Sequence, residues 1–239
     1  AQQSLETLES GLSVVRGESE EVAGLIRMTM PGSFGRMHVI PLLADFRDRC
    51  PLVTLDLRLS DEVLDVVEGA YDLIIRNAPL PDSAVVARKL APDRRLLVAS
   101  PDYLEQHGSP STPEELASHR CVVLLDANRW KFETKQVVTV PRSFAANDGE
   151  ATRAMAENGL GISISSLWNA GPSLDSGRLV EVLPDFPLVT ESAIWALYPS
   201  KRLVPPRVRG MLDFLVERFS PVPPWERPPA EPAAGSAPV

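Results

Sequence analysis

Positive charge is in short supply in this sequence. Its 239 residues hold 24 Lys and Arg against 32 Asp and Glu, a formal net charge of −8. A segment that grips DNA or an anionic membrane needs a basic face, so this chain is not expected to do the gripping itself. Cysteine is almost absent. Cys50 and Cys121 stand far apart and outside any CxxC or metal-type spacing, which argues against a disulfide scaffold and for a reducing, cytoplasmic compartment. The three histidines, His38, His107 and His119, are scattered with no ligand partners at metal spacing. No apolar run approaches the length of a membrane span, and AQQSLETLESGLSVV lacks the basic, apolar and small-residue order of a signal peptide. GxSxG, HExxH, a Walker A loop and GxGxxG after a strand are all missing. In Gly32-Ser33-Phe34-Gly35 the serine sits one position too early for a nucleophile elbow. The expectation is a chain that is not an enzyme and carries no metal or cofactor.

What remains is a globular composition, 44% hydrophobic and 23% charged, long enough for two small lobes with real cores. At the start, Leu5, Leu8, Leu12, Val15 and Val22 follow a three-four spacing broken by Ser19. That is a helical stripe, either packed on its own domain or the end of a longer dimerising helix. The missing initial Met fits a piece of something longer. From Leu25 the pattern becomes strand, helix, strand: LIRMTM, a helix from Met37 to Arg49, then alternating TLDLRL, an edge-strand pattern. Asp61 can cap the helix DEVLDVVEGA, and YDLIIR reads as a central parallel strand. Two such units predict an open, mostly parallel α/β sheet.

The second half repeats the logic. RRLLVAS, CVVLL, GLGISISS, GRLVEVLP and SAIWALYPS read as strands, and WKFETKQVVTVPRSFAAN is β-rich. Short helices open at Pro101 and Pro113, a further one starts at Asp148, and PPRVRGMLDFLVERF makes a last helix with proline at its start. From Ser220 the chain is proline-rich and expected to be disordered.

Polar residues collect at the carboxyl ends of strands, where open α/β sheets bind ligands. Ser33, Ser60, Arg76 and Asn77 do so in the first half; Asn147, Asp148, Ser163, Ser165 and Ser166 do so in the second. Pro41 forbids a regular helix back through Met37, so Ser33 to Arg36 are expected in an open turn with free amides. Those amides suit an anionic or carbonyl group, although Ser33 could equally cap its own helix. Arg76 could serve a ligand or pair with Asp61 or Asp148; in the latter case a neutral ligand is favoured.

SFGRMHVIPLLADFRDRCP, DLRLSDEVLDVVEGAYDLIIRNAPLPDS, VVARKLAPDRRLLVASPDYLEQHG, FAANDGEATRAMAENGLGISISSLW and YPSKRLVPPRVRGMLDFLVERF together resemble the effector-binding part of LysR-type transcriptional regulators. The resemblance runs in order from about Leu25 to Phe219. It implies a periplasmic-binding-protein-like (type 2) fold of two Rossmann-like lobes joined by two crossover segments. By it, residues 1–24 end a linker helix, 25–95 with 197–219 form the first lobe, 96–196 the second, and 220–239 the tail. It also implies a small-molecule effector, anionic in the reading above, held between the lobes by Ser33, Phe34, Gly35, Ser60, Arg76, Asn147, Asp148 and Ser165. The partner in a dimer or tetramer is a second copy, met through Arg36, Ile40 and Arg47 on one helix and Glu150, Arg153 and Glu157 on another. DNA is reached only through an amino-terminal helix-turn-helix that this sequence does not contain. The competing reading is the solute-binding protein of a transporter.

Overall fold

The apolar run LIRMTM becomes the heart of a strand. In the computed structural model, which describes residues 22–61, 71–79, 85–199 and 204–227, strand β1 (Ala23–Met30) buries Ile26, Met28 and Met30 completely. It pairs in parallel with β2 (Leu52–Leu59) from Ala23 opposite Leu52 to Met30 opposite Leu59. On its other side lies β3 (Leu73–Ala78), also parallel. The sheet is completed by β4 (Val85–Pro92) and by β12 (Ala193–Pro199), in the order β2-β1-β3-β12-β4. Strand β12 runs antiparallel to both neighbours. The expected edge strand TLDLRL is the edge. Strand β4 had no clear signal, because Arg88 and Lys89 interrupt its apolar pattern. As the opposite edge it tolerates them, and Arg88 pairs with Asp213 at 2.7 Å.

Helix α1 links β1 to β2 and answers the constraint set by Pro41. It is α over Gly32–Phe34, widens to π over Gly35–Val39, tightens to 3-10 over Ile40–Leu42 and returns to α over Leu43–Arg49. The open turn expected at Ser33 to Arg36 is therefore helical. The chain absorbs the missing proline amide and the ring's clash by changing the winding, not by starting late.

A second five-stranded sheet, ordered β11-β5-β10-β6-β9, uses β5 (Arg95–Ala99), β6 (Cys121–Leu124), β9 (Arg142–Ala146), β10 (Ile162–Ser166) and β11 (Val180–Val182). The hairpin of β7 (Arg129–Lys131) and β8 (Val137–Thr139) lies apart from it. Helix α2 (Pro101–His107) starts where Ser100 Oγ accepts from the Tyr103 amide at 3.3 Å. Asp148 caps α3 (Gly149–Glu157) by accepting from the Ala151 amide at 2.7 Å. Helix α4 (Leu167–Asp175) follows β10, and α5 (Pro206–Phe219) covers the first sheet with Val208, Met211, Leu212, Leu215 and Phe219 buried. Each such side chain contributes about 1.5–3 kcal/mol of burial. Gly161 has φ +151°, and a Cβ there would lie 2.4 Å from the Arg120 carbonyl oxygen, which accepts the Ile162 amide. Burial pushes the Cys121 thiol up to about 12, so it acts as a core side chain.

The stripe at residues 1–21 and the helix expected over 62–70 lie outside the described residues. Ala23 and Gly24, expected at the end of a helix, belong to strand β1. The tail expected to be disordered from Ser220 is ordered to Arg227. A 3-10 turn over Pro224–Glu226 sets the Trp225 ring 4.5 Å from His38 and 5.4 Å from Phe219, because a large apolar ring gains more from packing than the segment loses in entropy. No helix among the described residues is long and apolar enough to cross a membrane.

Candidate ligand-binding site

The PGSFG stretch is first of all a packing device. Ser33 and Phe34 are buried, and the Phe34 ring meets Trp168, Phe219 and Trp225 edge-on at 5.2 to 5.9 Å. A Cβ on Gly35 would lie 2.6 Å from Leu59 and 3.0 Å from Met30, so this glycine is there for close helix-to-strand approach. Of the amides expected free, that of Gly35 donates to Pro31 O at 2.9 Å, and the Gly32 amide, one residue before the expected turn, donates to Asp61 Oδ2 at 3.3 Å.

Asp61 is the centre of the electrostatics. Burial pushes its carboxyl above the usual range, the Gly32 amide pulls it back, and Asp148, in hydrogen-bonding contact with it, adds to the rise. Asp148 comes from the second sheet's side of the molecule, so two carboxyl groups meet where the two halves close. Arg76 faces Asp61 and gives Nη1–H to its neighbour's carbonyl, Ile75 O, at 2.9 Å. Burial lowers its guanidinium while Asp61 and Tyr71 oppose that. Of the two acids the sequence offered as partners for Arg76, Asp61 is the one whose charge acts on it.

From the second half, Ser165 is buried and accepts from Asn169 Nδ2 at 3.2 Å; the same amide donates to Gly149 O at 2.9 Å. Asn77 Nδ2 donates to Ser166 Oγ at 3.3 Å across the two halves. The carbonyl oxygens of both asparagines, Asn77 Oδ1 and Asn169 Oδ1, are buried without a hydrogen-bond partner among the described residues. Such an acceptor costs about 1–3 kcal/mol unless something supplies a donor. Asn147 is exposed beside Asp148, and Ser60 is half-buried with its amide on Met30 O at 2.9 Å. Ser163 turns away, donating to Val122 O at 3.0 Å. Asn169 was not singled out from the sequence; it lies in the first turn of α4, and the direct passage from β10 into that helix brings its amide to Ser165. His38, read as an isolated histidine, pins the halves together. Its Nε2 lies 2.9 Å from Trp168 O, and burial lowers its pKa.

Beyond Asn77 a concavity of about 330 Å³ opens, lined by Ala78, Ala127, Arg129, Trp130, Ile164 and others. A larger one of about 450 Å³, around Asp93, Arg95, Leu183, Phe186 and Ser192, contains none of the expected site residues. Of the residues expected to meet a second copy, Ile40 is 41% exposed and Arg47 lies open. Arg36, expected to look toward a partner's helix, is ion-paired with Glu150 of its own chain. Arg153 reaches Asn169 O at 3.2 Å and Glu157 at 3.7 Å, and Glu157 accepts from Ser173. No group of three or more His, Cys, Asp or Glu that could hold a metal occurs among the described residues.

The arrangement has known counterparts. The sequence matches the LysR substrate binding domain family over residues 19–220. It is 33% identical over 227 residues to the probable HTH-type transcriptional regulator LtrA of Klebsiella pneumoniae, covering 91% of this chain and 73% of that one. An HTH-type transcriptional regulator of Xanthomonas campestris is 36% identical over 225 residues, covering 89% of this chain and 64% of its own length. The chain thus spans about two thirds of the curated regulators it matches. The regulatory domain of CrgA, a LysR-type transcriptional regulator from Neisseria meningitidis, superposes with a TM-score of 0.75 at 30% identity, over 82% of this chain and 98% of that one. These relatives are transcriptional regulators, not transporter components or enzymes. A two-sheet α/β chain whose strand ends meet in a polar seam, matched over most of its length in this way, belongs to the LysR family as its effector-binding domain.

Proposed function

We propose that this chain senses a small molecule between its two halves and, in a longer cytoplasmic protein, passes that state to a DNA-binding part outside the sequence. The observation that carries the reading is the meeting of Asp61 and Arg76 from one half with Asp148 from the other, beside Asn77 and Ser166, which bond across it. A ligand admitted there would change how the halves close, as hinge-closing proteins do. Ser33, Ser60, Asn147 and Ser165 form the rest of this proposed pocket. The net charge of −8 keeps the chain itself away from phosphate backbones. The test is a thermal-shift screen of small metabolites. A genuine effector raises the melting temperature, and Arg76→Ala weakens its binding by more than about threefold, the loss of one hydrogen bond. Hits indifferent to Arg76→Ala and to Ser33→Ala would place binding elsewhere.

Self-association is proposed through α1 and the edge β2, where Ile40 and Leu52 are 41% and 49% exposed, against the edge of the second sheet at β9, where Phe144 is 37% exposed. Arg47 lies on the first of these surfaces; Arg36, Glu150, Arg153 and Glu157 then frame the contact through pairs made within each chain. Sedimentation should show dimers that Ile40→Glu dissociates with the melting temperature unchanged. A strict monomer at high concentration would refute the interface.

A further inference from the structure

The concavity of about 330 Å³ beside Asn77 is a place apart from the seam. Its walls are the end of β3 at Asn77, the β7–β8 hairpin at Arg129 and Lys131, Ile164 of β10 and the segment before β12 at Ser192. Both halves therefore build it, and none of Asp61, Arg76, Asp148 or Asn169 lines it. Three cations, Arg95, Arg129 and Lys131, share the lining with a single acid, Glu191. Asp93, only 2% exposed, takes Arg95 Nε–H at 2.9 Å, and Glu191 lies 3.7 Å from Lys131 Nζ. Arg129 makes no ion pair among the described residues, so one positive charge is left over. The larger concavity differs, because there Lys89, Arg94 and Arg95 are matched by Asp93, Glu133 and Glu181. Ala78, Trp130, Ile164 and Leu188 give the smaller one an apolar side as well.

Arg95 also links this cavity to the hinge. It stands where the chain enters β5 from β4, and its Nη2–H donates to Ser192 Oγ at 3.0 Å, one residue before β12 begins. One guanidinium thus ties the outgoing crossover to the returning one, and its Nη1 makes no bond among the described residues. We propose that the cavity is a second small-molecule site, one for a monocarboxylate with an apolar body. Arg129 and the Nη1 group of Arg95 hold the carboxylate, and the body lies against Trp130 and Ile164. Charge-assisted bonds of this kind are about twice as strong as neutral ones. A mostly apolar cavity of this size with a few polar anchors is the usual form of a small-ligand site. A molecule seated there bridges the end of β3, the hairpin and both crossovers, so it favours one closure of the halves over others. The site does not depend on the seam being the effector pocket, since the two share no charged residue.

Calorimetry with the whole chain tests it, using hexanoate and benzoate as probes. Hexanol and benzyl alcohol are their neutral counterparts, and gluconate is an acid without an apolar body. At least one probe acid should bind, with its alcohol and gluconate about tenfold or more weaker. Arg129→Gln, at an exposed position, should lower that acid's affinity about tenfold, while Arg76→Ala leaves it within about twofold. Arg95→Lys keeps the charge but not the fork and should also weaken binding. If that variant does not fold, Arg129→Gln decides. The second site is overturned if neither acid binds, if the alcohol or gluconate binds as tightly, or if Arg129→Gln leaves the affinity unchanged. Loss of binding in Arg76→Ala with none in Arg129→Gln places the acid in the seam, which supports the proposed function and removes this site.

Discussion

Replacing Phe34 by alanine should remove about 3–5 kcal/mol of stability, the largest loss expected from one side chain outside the strands. Phe34 is fully buried in the first core, and its ring is in contact with partners from four separate segments: His38 of α1, Trp168 of α4, Phe219 of α5 and Trp225 beyond it. Deleting it opens a cavity between elements whose positions are fixed by other contacts, so little collapse can compensate. For a chain of this length the melting temperature should fall by about 10 °C. Phe34→Leu, which keeps most of the volume, should cost about 1.5 kcal/mol or less. Chemical denaturation of both variants checks this. A loss for Phe34→Ala no larger than for Phe34→Leu would mean that the aromatic node does not hold the halves together.

Gly161→Ala should be nearly as damaging, by a different route. At φ +151° an L side chain is strained, and the added Cβ would sit 2.4 Å from the Arg120 carbonyl oxygen and 2.8 Å from its carbon. Neither atom belongs to a flexible side chain, and that oxygen accepts the Ile162 amide at 2.9 Å. Relief requires β10 to shift against β6, which breaks this bond. The strain alone is worth about 1–3 kcal/mol, and the lost bond and register add to it. Gly177→Ala, where φ is +70° but no atom lies within 4 Å of the added Cβ, isolates the backbone part. Equal losses at the two positions would show that the clash with Arg120 is relieved without cost.

Most of this architecture could be read from periodicity. The alternation in TLDLRL gave an edge strand, the continuous apolar run in YDLIIR an inner one, and Pro206 with Val208, Met211, Leu212 and Leu215 a helix start and its buried face. Strand β4 was not legible, because edge strands tolerate charges and Arg88 and Lys89 erase the pattern. Pro41 was read correctly as a constraint on α1, but its resolution was not: local rules give the missing amide and the clash, whereas a π turn before it depends on what Gly35 packs against. At the candidate site the sequence brought forward Ser33, Arg76, Asp148 and Ser165. It could not show that Asp61 would take the Gly32 amide, nor that Asn77 and Asn169 would be left with unmet oxygens, since those depend on which strand ends face each other after folding.

Strand β12 fills the gap between β3 and β4, although some hundred residues separate it from β4 in the chain. During synthesis, then, β1, β2, β3 and β4 leave the ribosome with their middle missing, while β5 through β11 emerge as an unbroken set that can pair completely. The part made second is therefore the part that can finish first, reversing the usual order of cotranslational folding. Until β12 and α5 arrive, β3 and β4 expose unpaired backbone and apolar faces that invite strands from other chains. This makes the arrival of β12 and α5 the step on which yield in the cell depends.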